Sequence, residues 1–105
     1  MMRIRLLDDY GMFLTRAQPA TQLCARLLSE SAHEAIVLDF SGVVQMSPSF
    51  TNVLFFNLLH HMGADGLRQR VQVENAAPHI LDAINTAIAR KLEHRAELTS
   101  YLRTA

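Results

Sequence analysis

The chain is predicted to adopt an α/β fold: a small mixed, mostly parallel sheet of about four strands with helices packed against it. Three observations predict it. Short apolar extended runs alternate with longer stretches of helical apolar spacing, the order that builds crossovers between parallel strands. The run Ile36-Val37-Leu38 is apolar without alternation, as in a strand covered on both faces. Ser47-Pro48-Ser49 follows a second extended run and combines a capping serine with a proline at the first helical position, a strong helix start.

The elements follow in order. Arg3 to Leu7 alternates polar and apolar residues and ends at Asp8-Asp9; Tyr10-Gly11 supplies a turn and Met12-Phe13-Leu14 returns, which predicts a small hairpin. Thr15-Arg16-Ala17-Gln18 has the form of a capping box, while Pro19 would move the helix start to about Gln18. Leu23, Cys24, Leu27 and Leu28 then recur at helical spacing and face the core. Ser29 to Glu34 is a polar break. Ala35 to Leu38 is the buried strand, Ser41-Gly42 turns the chain, and Val43 to Met46 is extended. The second helix takes Ser47 as N-cap, buries Phe50, Val53, Leu54, Leu58 and Leu59, and stops at Gly63. Ala64-Asp65-Gly66 reads as a loop and Val71 to Val73 as a short strand ending at Asn75. Pro78 opens a third helix with Ile80, Leu81, Ile84, Ile88 and Leu92 on one face. Beyond Leu92 the spacing slips. Residues 93–105 read as a C-terminal extension, and its patch of Leu98, Tyr101 and Leu102 either packs as a terminal helix or meets another subunit.

The bulk properties narrow the function classes. The 105 residues suit one domain over 1–105, half of them hydrophobic, enough for a core without disulfide or metal. With 19% charged residues and zero formal net charge, the chain has no concentrated basic face for nucleic acid. Neutrality also leaves little self-repulsion against homodimerisation. Cys24 is the single cysteine, so neither an internal disulfide nor a cysteine zinc site is expected. No signal-peptide pattern opens the chain, and no apolar run approaches the roughly 20 residues that cross a bilayer. The expectation is a cytoplasmic protein with no membrane partner and no cofactor.

The chemistry-bearing residues gather around the start of the second helix. A helix N-terminus offers unpaired N–H groups and partial positive charge, so the hydroxyls there are phosphoacceptor or anion-binding candidates: Ser49, Ser47 and Thr51. The structural role of Ser47 is to cap the helix; Ser49 is less committed. Asp39 either accepts hydrogen bonds from the Ser41-Gly42 turn or sets its carboxylate beside Ser49. Arg16 is either solvated or reaches the same edge to hold a phosphate. Ser41 completes the supporting polar set. Pro48, Phe50, Asn52, Phe55 and Phe56 are candidates for a partner interface. The second helix is apolar almost all round: it is either buried between neighbours or carries a stripe that a partner covers. His33, His60, His61, His79 and His94 are scattered without metal-ligand spacing, and no serine here sits in a nucleophile elbow, so no metal and no catalytic residue is expected.

Gly11-Met12-Phe13-Leu14-Thr15-Arg16, Val37-Leu38-Asp39-Phe40-Ser41-Gly42-Val43 and Ser47-Pro48-Ser49-Phe50 resemble the STAS-like domains of the DUF4325 type, over roughly residues 4 to 90. The order of elements is distantly similar to the STAS domains of anti-sigma factor antagonists. That resemblance implies a bacterial binding module that docks an ATPase-fold serine kinase and is phosphorylated on a serine at the start of the second helix. The motif departs at the decisive place: the phosphorylated serine of those antagonists falls on Pro48, Ser47 replaces an aspartate, and Ser49 matches the next serine. Phe50 is followed by Thr51-Asn52-Val53 where the STAS-like family often has an acidic pair. The resulting expectation is a non-enzymatic regulatory module whose partner is such a kinase or a second copy of itself. The alternative is a small-anion or nucleotide-binding domain using the same helix end, against which stands the lack of a glycine-rich phosphate loop.

Overall fold

A computed structural model describes residues 1–31 and 34–104, except for the side chains of 94–104. His33, His94, Leu98, Tyr101 and Leu102 therefore lie outside the described side chains. The elements are β1 (Met2–Arg5), α1 (Leu6–Tyr10), β2 (Phe13–Leu14), α2 (Ala17–Glu30), β3 (Ile36–Asp39), β4 (Gln45–Met46), α3 (Pro48–Arg70), β5 (Val71–Glu74) and α4 (Pro78–Thr104). The fold is α/β with parallel pairing throughout, in two small sheets rather than one: a three-stranded sheet β1-β3-β5 and a two-stranded sheet β2-β4.

The predicted N-terminal hairpin does not form. Met2–Arg5 pairs in parallel with β3, and Phe13–Leu14 pairs in parallel with β4. Between them Leu6–Tyr10 coils into a short helix that buries Leu6, carries Asp8 and Asp9 in its first turn and ends at Gly11, whose φ of 82° only glycine adopts readily. The polar–apolar alternation of Arg3, Ile4 and Arg5 was a sound strand signal. It could not name the partner strand, and the adjacent apolar pair Leu6-Leu7 belongs to the helix.

Alternation and register sort the three-stranded sheet into two faces. Ile4, Ile36 and Leu38 join the core, with Val71 and Val73 packed against it. The opposite face carries Arg3 and Arg5 on β1, Val37 and Asp39 on β3, and Gln72 and Glu74 on β5. Val37 is nonetheless buried, flanked in register by Arg3 and Gln72, so the whole Ile36–Leu38 run is covered as its lack of alternation predicts. Each such buried aliphatic side chain contributes about 1.5–3 kcal/mol relative to exposure.

The helices supply the rest of the core. α2 contributes Leu23, Cys24 and Leu27. It begins after Arg16 in extended geometry with no side-chain cap, so the Thr15–Gln18 capping box is absent and Pro19 simply lies in the first turn. α3 packs against both α2 and α4, which favours the buried reading of its nearly all-round apolar surface. Gly63 breaks α3 as expected, with φ 75° and ψ 170°. The predicted loop Ala64-Asp65-Gly66 is helical instead: the chain resumes a second arm that buries Leu67 and leads directly into β5. One glycine supplies the bend, and the helical Gly66 is tolerated because the arm is held by packing. On α4, Ile80 and Ile84 are buried but Leu81 is 42% exposed, off the face assigned to it.

Candidate functional site

The start of α3 stands where β4 delivers the chain. Met46 is buried, Ser47 is extended (φ −79°, ψ 159°), and Pro48 takes the first helical position. The Ser47 hydroxyl accepts a hydrogen bond from the Phe50 N–H at 3.2 Å and donates to the Thr15 carbonyl at 2.9 Å. Its single proton and its capping lone pair are thus both engaged, and Ser47 ties the helix start to the segment before α2. Thr51 is buried, and its hydroxyl donates to the Ser47 carbonyl at 2.8 Å. Thr51 is therefore not available as a phosphoacceptor, because helical periodicity turns it inward. Ser49 is exposed, and its hydroxyl makes no hydrogen bond among the described residues.

The free amides are fewer than a helix N-terminus usually presents. Pro48 has no N–H, the Phe50 N–H is capped by Ser47, and the Thr51 N–H is bonded to the Ser47 carbonyl at 3.0 Å. Only the Ser49 N–H remains, so this rim offers one hydroxyl and one amide rather than a cradle of donors.

Two of the five predicted interface residues point the other way. Phe50 and Phe55 are buried in the core, on different sides of a helix that is packed by both α2 and α4. Pro48 is exposed, while Asn52 and Phe56 are half-buried. The Lys91 ammonium sits 5.4 Å from the centre of the Phe56 ring, a cation–π contact between α3 and α4.

Asp39 closes a different polar cluster at the carboxyl ends of the strands. Its Oδ1 accepts from the Ser41 N–H at 2.9 Å and from Asn75 Nδ2 at 3.0 Å, and its Oδ2 lies 3.2 Å from Arg3 Nη2. Arg3 also reaches Glu74 at 2.9 Å, and Arg5 Nε donates to the Ser41 hydroxyl at 3.2 Å. The hydrogen bonds from Asn75 and Ser41, with the Arg3 charge, lower the Asp39 pKa to about 2. Asn75 adopts φ 58°, a left-handed geometry that asparagine tolerates better than most residues. Asp39 is thus the keystone of the turn, and none of its hydrogen bonds goes to Ser49. Arg16 is exposed, in keeping with the solvated reading, and lines a small hollow of about 150 Å³ with Phe13, Pro19 and Phe50.

Three residues of this edge escaped the sequence reading. Met12, Phe13 and Val44 are 46%, 57% and 53% exposed. They sit together on the β2–β4 ribbon, where the Val44 N–H donates to the Met12 carbonyl at 2.8 Å and Phe13 is in register with Gln45. Nothing in the run Met12-Phe13-Leu14 marks Leu14 as the buried member. Assigning it needs the register with β4. Pro48 also lines a second groove, of about 260 Å³, whose walls mix Asn52, His79, Asp82 and Arg90 with Met46 and Ala87. His79 Nε2 donates to the Val44 carbonyl at 2.9 Å and pins α4 to the same ribbon.

The remaining candidates are quickly placed. Cys24 is buried, which pushes its thiol pKa up and makes it unreactive. The His60 and His61 rings meet edge to face, 5.3 Å apart. Among the described residues no three histidine, cysteine, aspartate or glutamate side chains converge on a common point, and no helix is long and apolar enough to cross a membrane.

The fold is thus a parallel α/β domain with one uncommitted hydroxyl and one amide at a strand-to-helix rim. The family model described as a STAS-like domain of unknown function (DUF4325) matches residues 20–81, and the chain belongs to that family. The matched span holds most of α2, all of β3, β4, α3 and β5 and the start of α4, and therefore the Ser47–Ser49 rim. Comparison with curated proteins and with solved structures gives no match.

Proposed function

We propose that this domain is a non-enzymatic regulatory module that docks a protein partner, in a bacterial cytoplasm, through the rim at the start of α3. The partner is an ATPase-fold serine kinase or a second copy of the chain, and phosphate on Ser49 modulates the docking. One observation carries the reading. Of the three hydroxyls at this helix end, Ser47 and Thr51 are spent on holding the helix, while Ser49 is exposed and unengaged. The paired segments that lead into α2 and α3 leave Met12, Phe13 and Val44 exposed, large apolar side chains of the kind that anchors protein interfaces. Phosphate at a helix start is electrostatically tolerated, yet its charge of about −1.5 to −2 would reshape recognition there.

The anion- or nucleotide-binding alternative has less support, since the helix end offers a single free amide and no glycine-rich loop. The test combines an ATPase-fold serine kinase, ATP and the purified domain, with intact-mass and peptide mapping. The expected result is one phosphate on Ser49, lost in Ser49→Ala, and weaker binding of Phe13→Ser to the kinase, or weaker self-association by sedimentation. Unchanged modification and affinity in both variants would reduce Ser49 and Phe13 to bystanders. Saturable stabilisation by nucleotide alone would favour the alternative.

A further inference from the structure

The kink at Gly63 stands next to a space that, among the described residues, no side chain fills. It swings the second arm of α3 back toward β5, and between that arm, β5 and α4 runs a half-open groove of about 440 Å³. Its walls are Phe55, Leu59, Leu67, Val71, Val73 and Ile84. Val71 and Val73 point to the core side of β5 but remain only half-buried, and Leu81, 42% exposed, also lines the groove. The volume falls in the roughly 300–1,000 Å³ range of small-molecule sites, and an apolar wall with a few polar groups is their usual composition.

We infer that this groove binds an amphipathic carboxylate: an unbranched alkyl chain of medium length with an acid head group. The choice follows from the charges. The lining contains three polar residues, Arg68, Gln72 and Asn85, and among the described lining residues Arg68 is the sole charged one. Its nearest carboxylate is Asp65 at 4.0 Å, with both side chains largely exposed, at 76% and 90%. So loose and solvated a pair holds the guanidinium weakly, and a ligand carboxylate offering two oxygens competes well for it. The amide of Asn85 adds a neutral donor, and the apolar walls take the chain. The site lies at the opposite end of α3 from Ser49 and does not depend on the docking proposal.

The test uses the full chain, with calorimetry and amide chemical-shift mapping against octanoate, decanoate, dodecanoate and decanol, each below its micelle concentration. One saturable site is expected, with shifts centred on Val73, Leu81 and Ile84. Affinity should rise about fourfold per added methylene until the groove is full, and decanoate should bind about tenfold more tightly than decanol, as one charge-assisted pair predicts. Arg68→Gln, on an exposed position, should leave the urea midpoint unchanged and erase the preference for acid over alcohol. Ala64→Leu, which builds into the groove, should weaken both ligands. The inference is overturned if no ligand saturates, if the Arg68→Gln protein still prefers the acid, or if sedimentation and shift mapping show a second copy seated over Leu81 and Val73.

Discussion

Two polar corners of this domain lie at the carboxyl ends of its short strands, and they are built in opposite ways. At the end of β3, both Asp39 carboxylate oxygens are engaged: Ser41 and Asn75 share one, and Arg3 takes the other. At the end of β4, Ser47 is equally committed, but Ser49 two residues later is not, and Met12, Phe13 and Val44 stand exposed on or next to the β2–β4 pair. The first corner spends its polar groups on holding three strands and a turn together. The second holds its helix with one serine and leaves its neighbour to solvent. Polarity alone does not mark a functional site; unengaged polarity beside exposed apolar area does.

The sharpest way to break the comparison is at Asp39. Asp39→Ala strands the Ser41 N–H, Asn75 and Arg3 at a mostly buried position and should cost about 3 kcal/mol in urea unfolding. The same carboxylate gives the domain an acid limit. Its pKa is lowered from 3.8 in the unfolded chain to about 2 in the fold. It therefore contributes about 2 kcal/mol above pH 4, which is lost as the pH falls through about 2. Asn75→Ala removes the largest cause of the lowering, so the Asp39 carboxyl followed by NMR should then titrate at a higher pH.

Gly42→Ala comes next. Gly42 has φ 79°, and an added Cβ would meet Leu7 Cδ2 at 2.6 Å. Left-handed strain plus displacement of Leu7 should cost about 1–2 kcal/mol in thermal or urea unfolding. Ser47→Ala should cost about 1 kcal/mol, the ordinary value of a lost N-cap, with the link to Thr15 lost as well. Ser49→Ala, two residues along, should stay within about 0.5 kcal/mol of the parent protein. Equal losses at Ser47 and Ser49 would erase the distinction between the two serines.

Much of the fold was legible because its signals are local. The Ser47 cap, the Pro48 start, the break at Gly63, the buried Ile36–Leu38 run and the core face of α2 all follow from neighbouring residues. The N-terminal hairpin failed because alternation specifies a strand without specifying its partner, and two strands close in sequence pair here with others about 30 residues away. Ala64-Asp65-Gly66 failed because glycine and aspartate mark loops on average, whereas here the packing of Leu67 holds them in a helix. Phe55 and Thr51 were read as surface although the fold buries them, while Phe50, offered both for the core and for an interface, is in the core.

By itself the sequence determined most of the helical and extended segments, where α3 begins and bends, and that a pair of serines brackets a proline at its start. Those features depend on backbone torsion, capping and periodicity, which act over a few residues. Only the tertiary structure decided which serine is spent, which aspartate contact closes the β3 turn, and which apolar side chains remain outside. These depend on partners more than 30 residues away, Thr15 for Ser47 and Arg3 and Asn75 for Asp39. Such pairings are set by packing the whole chain at once, where burial free energy outweighs local preference.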